Sequence, residues 1–236
     1  MQGFAWCTIA ATSLLLFGSP VVQAQVQPEV HDTIAHRVAA CAACHGKEGR
    51  ATRDGYFPRI AGKPAGYLYN QLINFRDGHR NHAAMSYMVA HLSDDYLKEI
   101  AEYFSELRLP YPPPQAPGVA PQTLERGRLL VTNGDPTRNI AACISCHGEQ
   151  LTGVLPSIPS LVGLSRDYLS AQIGAWKVGT RRAAAPDCMA EISKQLTPDD
   201  LSAITAWLTS RAVPNDMTPS PASSVTLPIA CGSFSQ

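Results

Sequence analysis

The sequence predicts an all-α protein made of two tandem units of one plan. Three observations carry that prediction. A six-residue signature occurs twice, as CAACHG at residues 41–46 and as CISCHG at residues 143–148. Landmarks downstream of each copy recur at a nearly constant offset, which marks an internal duplication. Apolar residues fall at helical spacing, and no alternating strand pattern of useful length appears.

In chain order, residues 1–24 come first. An apolar run at residues 4–17 is broken by Gly18-Ser19-Pro20 and followed by Val22-Gln23-Ala24, which predicts an export signal cleaved after Ala24. The run is well short of the roughly 20 residues that a spanning helix needs. The first unit covers residues 25–109. A proline-rich linker, stiff enough to act as a spacer, covers residues 110–121. The second unit covers residues 122–213, and a loop-like tail runs over residues 214–236.

Helix signals place the main elements of both units. Leu97, Ile100, Ala101, Phe104 and Leu107 follow Ser93-Asp94-Asp95, with a hydroxyl at the cap and carboxylates in the first turn. Thr197-Pro198-Asp199-Asp200 does the same ahead of Leu201, Ile204 and Leu208, with Pro at the first helical position. Residues from about 65 to 77 and from 166 to 177 read as a second helix pair, and the segments leading into Cys41 and Cys146 as a third.

Charge excludes some partners. Lys plus Arg and Asp plus Glu are 19 each, so no basic stripe points to nucleic acid and no polybasic cluster to a membrane surface. Any membrane association would come through partners. Seven cysteines less Cys7 in the signal leave six, of which four lie in the signatures. In an exported, oxidising setting the remaining Cys188 and Cys231 pair with each other. That bond closes a loop of about 44 residues, stabilises by about 4 kcal/mol and pins the tail.

C-x-x-C-H is the attachment site of a c-type haem. Its two thiols form thioethers with the vinyl groups, and the adjacent His supplies the proximal iron ligand. One helical turn has to present both sulfurs and the ring to one face of a planar macrocycle. Zinc would want a fourth ligand and gives no reason for a His to follow at once, twice. The sequence therefore predicts two c-type haems, held by Cys41 and Cys44 and by Cys143 and Cys146, with His45 and His147 on the iron.

The repeat selects the sixth ligands. The other histidines, His31, His36, His79, His82 and His91, all lie in the first half, so His cannot serve both irons alike. Ile60-Ala61-Gly62, Tyr67, Gln71, Gly78 and Arg80 stand 101 positions before Leu161-Val162-Gly163, Tyr168, Gln172, Gly179 and Arg181. Further on the offset is 104, and Met85 falls on Met189, Leu92 on Leu196 and Ile100 on Ile204. Met85 and Met189 are the expected sixth ligands. Met88 answers to Ile192 and is read as packing, and Arg181-Arg182 as solvated surface.

On these motifs, the paired methionines, Pro58-Arg59-Ile60-Ala61-Gly62 and Tyr67-Leu68, the chain resembles the dihaem class I cytochromes c, most of all the cytochrome c4 family. The resemblance implies two cytochrome c domains, each wrapped on one haem, and proximal histidines held by the carbonyls of Pro58 and Pro159. It implies periplasmic electron transfer from a quinol-oxidising complex or a dehydrogenase to an acceptor such as a terminal oxidase, with redox proteins as partners and no substrate pocket. His and Met together raise the haem potential and fill the iron's coordination, which leaves electron exchange as its main chemistry. Two readings compete with a free carrier. One is a dihaem enzyme of peroxidase or thiosulfate-oxidising type, in which a Cys188 thiolate would replace Met189, and the other is a cytochrome subunit of a dehydrogenase complex.

Overall fold

The computed structural model describes residues 32–234, so the predicted export signal lies outside the described residues. The first half contains α1 (Ile34–Arg37), α2 (Ala42–His45), α3 (Ala65–Arg76), α4 (Ala83–Val89) and α5 (Asp94–Glu106). The second contains α6 (Pro121–Thr132), α7 (Ile144–His147), α8 (Arg166–Lys177), α9 (Cys188–Gln195) and α10 (Pro198–Ser210). Two-residue strands β1 (Gly153–Val154) and β2 (Ile158–Pro159) pair antiparallel after α7. Among the described residues no helix is long and apolar enough to cross a membrane.

The caps predicted at Ser93 and Thr197 form, and Ser165 adds a third. Ser93 Oγ accepts from the Tyr96 N–H at the start of α5, and Ser165 Oγ from the Tyr168 N–H at the start of α8. At α10 Thr197 and Asp200 make a reciprocal capping box, with Pro198 in the first turn. The segment leading into Cys41 is helical as predicted, α1 running into a tight helical turn at Ala39–Cys41, whereas the one before the second signature departs. α6 stops at Thr132, and a loop intervenes before Cys143, because Gly134 turns at φ 71° and Asp135 pairs with Ile140. A side chain at Gly134 would lie 2.3 Å from the Ile140 carbonyl. α4 and α9, of seven and eight residues, carry too little apolar periodicity to announce themselves in sequence.

Each half has its own core. Leu97, Ile100, Ala101 and Phe104 of α5 meet Leu68 and Phe75 of α3. Ile204, Trp207 and Leu208 of α10 meet Leu130 and Val131 of α6 together with Leu169 of α8. The close approach of α6 to α10 depends on Gly127, where an added Cβ would lie 2.1 Å from the Ala203 carbonyl oxygen.

The halves join through a polar seam and a docked linker. Residues 80 and 181 form an antiparallel bridge, the Arg182 N–H donates to the His79 carbonyl at 2.7 Å, and the Ser165 hydroxyl donates to the Gly55 carbonyl. Arg59 donates to the Leu109 carbonyl at 2.7 Å and the Pro110 carbonyl at 2.9 Å, with its guanidinium 3.8 Å from the Tyr111 ring centroid. On the other side Tyr111 lies against Gly163, where a Cβ would come within 2.3 Å of the ring. Farther along, Gln115 N–H reaches the Thr209 carbonyl, and Arg166 reaches the Pro117 carbonyl. Cys188 and Cys231 are joined, as the count of cysteines predicts. The tail is further held by the Gly232 N–H on the Pro186 carbonyl and by Ser220, which bonds to both Gly153 and Leu155.

Candidate functional site

Each signature folds as a single helical turn closed by a glycine with positive φ, 73° at Gly46 and 82° at Gly148. The turn sends the chain back over its own histidine: Ala51 N–H donates to the His45 carbonyl at 2.8 Å, and a Cβ at Gly46 would lie 2.4 Å from the Ala51 oxygen. Both imidazoles are consequently buried, 8% exposed at His45 and 7% at His147. The helical turn puts Cys41 and Cys44 beside His45, and Cys143 and Cys146 beside His147. All four thiols are free and half-buried.

The histidines are oriented identically. His45 Nδ1–H donates to the Pro58 carbonyl at 2.9 Å, and His147 Nδ1–H to the Pro159 carbonyl at 2.7 Å. A carbonyl only accepts, so the ring proton sits on Nδ1 and the Nε2 lone pair is left for a metal. Burial lowers the pKa of His45 and pushes that of His147 down to about 4, which keeps both rings neutral. Burial also raises the thiols, Cys143 to about 12 and Cys41 and Cys146 in the same direction. These are poor thiolate nucleophiles.

The two paired methionines occupy equivalent elements, half-buried on the short helices α4 and α9. Met85 packs against the first core and lies one turn before Val89, which is buried. Met189 lies one turn before Ser193, which is fully buried with no partner for its hydroxyl. Residues at i and i+4 share a helix face, so each methionine stands on the inward face of its helix. Met88 is 46% exposed. Met217 packs on the second core, but its neighbour Thr218 bonds to Thr152, five residues after His147, which places it with the segment that covers the proximal histidine.

The residues fit a haem in each half. Among the described residues no three His, Cys, Asp or Glu side chains gather as a zinc site would need. Polar groups instead await a partner from outside the protein: Trp176 Nε1 and His82 Nδ1 are buried and unbonded. Buried Arg59, Arg80 and Arg181 form no ion pair among the described residues. Unpaired buried cations are costly, and carboxylates on a bound cofactor would relieve them.

Arg181 corrects a sequence expectation. It is 3% exposed, lies 3.7 Å from the Trp176 ring centroid and is not solvated surface, whereas Arg182 is exposed. The signal for its burial was present in the 101-residue offset it shares with Arg80, as Gln172 shares it with Gln71. His82 lies in the loop just before α4, half-buried and hydrogen-bonded to the Tyr56 hydroxyl.

Comparison with known proteins adds to this geometry. The family described as cytochrome c oxidase, cbb3-type, subunit III matches residues 32–104, and the family described as cytochrome c matches residues 125–212. A thiosulfate dehydrogenase electron acceptor from Thiomonas intermedia is 36% identical over 203 residues, 85% of this chain and 88% of the relative. The crystal structure of reduced cytochrome c4 from Pseudomonas stutzeri aligns with a TM-score of 0.65 at 27% identity, covering 75% of this chain and 95% of that one. A thiosulfate dehydrogenase from Marichromatium purpuratum aligns with a TM-score of 0.66 at 31% identity, over 73% of this chain and 36% of that one.

Proposed function

The chain belongs to the cytochrome c4 family of dihaem class I cytochromes c, and on that premise we propose that it is a periplasmic carrier taking electrons from a thiosulfate dehydrogenase and delivering them to an acceptor such as a terminal oxidase. It carries two covalently bound c-type haems, each supplying a one-electron iron couple. Cys41 and Cys44 hold one and Cys143 and Cys146 the other. His45 and Met85 ligate the first iron, His147 and Met189 the second. The domain limits follow at residues 25–109 and 122–213, with residues 1–24 removed on export.

The observation that carries this reading is the matched pair of histidine locks, His45 on Pro58 and His147 on Pro159. Two sites prepared alike suit a relay, in which neither iron needs an open position for substrate. The named donor rests on the relative from Thiomonas intermedia, whose name states that role. The carrier is favoured over the enzyme by the bond joining Cys188 to Cys231, which removes the thiolate an enzymatic second site would use.

An optical redox titration of the holoprotein tests the reading. Two high-potential haems, each with a Met–iron(III) charge-transfer band, and rapid reduction by thiosulfate plus its dehydrogenase are expected. One haem lacking the band and binding cyanide or peroxide would overturn the carrier and restore the enzyme.

A further inference from the structure

Lys63 sits just before α3 in the first half, 4% exposed, and its ammonium crosses into the second half. Nζ donates to the Ser160 hydroxyl at 2.5 Å and to the Ser160 carbonyl at 3.2 Å. No carboxylate among the described residues pairs with it. Burial, helped by the positive charge of nearby Arg59, pushes its pKa down to about 7. An ammonium in that position raises the energy of any further positive charge nearby.

The nearby group is the second haem site. Ser160 directly follows Pro159, whose carbonyl orients His147, and the field of Lys63 contributes to the lowered basicity of His147. The first histidine feels the positive charge of Arg80, which belongs to its own half, but the duplication offers no cation that crosses the other way. At the offset of 101 that relates the halves, Lys63 answers to Leu164 and Arg59 to Ser160. Of the two histidine locks, only the second takes its buried cation from the opposite half.

We infer that Lys63 is a positioning residue for electron flow: its charge, lent by the first half, raises the reduction potential of the second haem. The sign follows from Coulomb's law, since a fixed positive charge favours the iron state that carries one positive charge fewer. The inference rests on the two-haem carrier reading.

The test uses the full holoprotein at pH 6 with Lys63→Leu, the residue found at the repeat position, and Lys63→Arg, which keeps the charge. Each haem is followed by its own NMR-resolved haem methyl signals, assigned through couplings to Cys41 and Cys44 or to Cys143 and Cys146. Lys63→Leu is expected to shift the second midpoint downward and leave the first in place, with both Met–iron bands retained. Lys63→Arg is expected to hold the second midpoint near that of the parent. A merely structural lysine would move neither midpoint selectively. An unmoved second midpoint, equal shifts of both haems, or an arginine variant that behaves like the leucine one would overturn the inference. A parent protein lacking either Met–iron band would instead overturn the carrier reading, so the two failures are told apart before any variant is made.

Discussion

Arg80 and Arg181 exchange partners across the seam between the halves. Arg80 donates to Gln172 Oε1 at 2.6 Å and to the Tyr168 hydroxyl at 3.1 Å, while Arg181 donates to Gln71 Oε1 at 2.9 Å and to the Tyr67 hydroxyl at 3.3 Å. Each glutamine oxygen also accepts from the arginine of its own half. The seam is thus a pseudo-symmetric knot of neutral acceptors around two like charges.

Removing one member should loosen the knot. Arg181→Leu takes a charged donor from the Tyr67 hydroxyl, which keeps Tyr168, and from Gln71, which keeps Arg80, a loss of about 2 kcal/mol on the usual worth of hydrogen bonds to a charged group. Denaturation of the holoprotein followed by hydrogen exchange should show the two halves opening at separate denaturant concentrations, where the parent opens as one. A single unshifted transition would refute the idea that the knot couples them.

The ligand assignment predicts a clean split among the methionines. Met85→Ala and Met189→Ala should each abolish one of the two Met–iron bands and lower one midpoint, because a site without its thioether loses the ligand that raises the potential. Met88→Ala and Met217→Ala should keep both bands, since Met88 is exposed and Met217 lies with the segment covering His147. Spectra of the four variants decide the matter.

Asp200 gives the second half a buried acid-sensitive pair, where α5 of the first half has only the exposed Asp94 on Arg76. Burial alone would raise its pKa, but hydrogen bonds from Arg138, the Thr197 N–H and Arg126 outweigh burial and hold the carboxyl well below its ordinary range. A carboxyl depressed in the folded state adds stability above its unfolded value of about 3.9 and loses it as pH falls below that. Hydrogen exchange should therefore show α10 opening below about pH 4 while α5, with Tyr96 at the repeat position, persists. Asp200→Asn should cost about 3 kcal/mol at neutral pH, the low end for a broken buried pair because Arg126 and Arg138 are partly exposed.

The tail makes a prediction of its own. Cys231→Ser should destabilise the second half by about 4 kcal/mol, the chain-entropy figure for so long a loop. It should also free residues after Thr218 to proteases. Unchanged resistance to proteolysis would mean that the bonds of Ser220 and Gly232 hold the tail unaided.

Much of the fold was legible because its signals are local. Leu97, Ile100 and Phe104 announce one face of α5, Thr197-Pro198 announces the start of α10, and two CxxCH motifs announce the histidines. The histidine locks were legible only through family resemblance, since nothing about Pro58 alone says that its carbonyl will meet His45. Other parts depend on distant neighbours. Lys63 finds Ser160 97 residues away, and Arg59 meets the linker about 50 residues on. No periodicity encodes such meetings. α4 and α9 are illegible for a different reason, being too short to show a period.

A tether of prolines that merely joined two units would let them tumble, and any electron passing between them would wait on a diffusive search. With Arg59 gripping one end of the linker and Arg166 the other, and Tyr111 seated against Gly163 between them, that search is over before it starts. The rate of passage from one half to the other should then be indifferent to solvent viscosity, while the rates of loading and unloading by other proteins should slow in proportion to it.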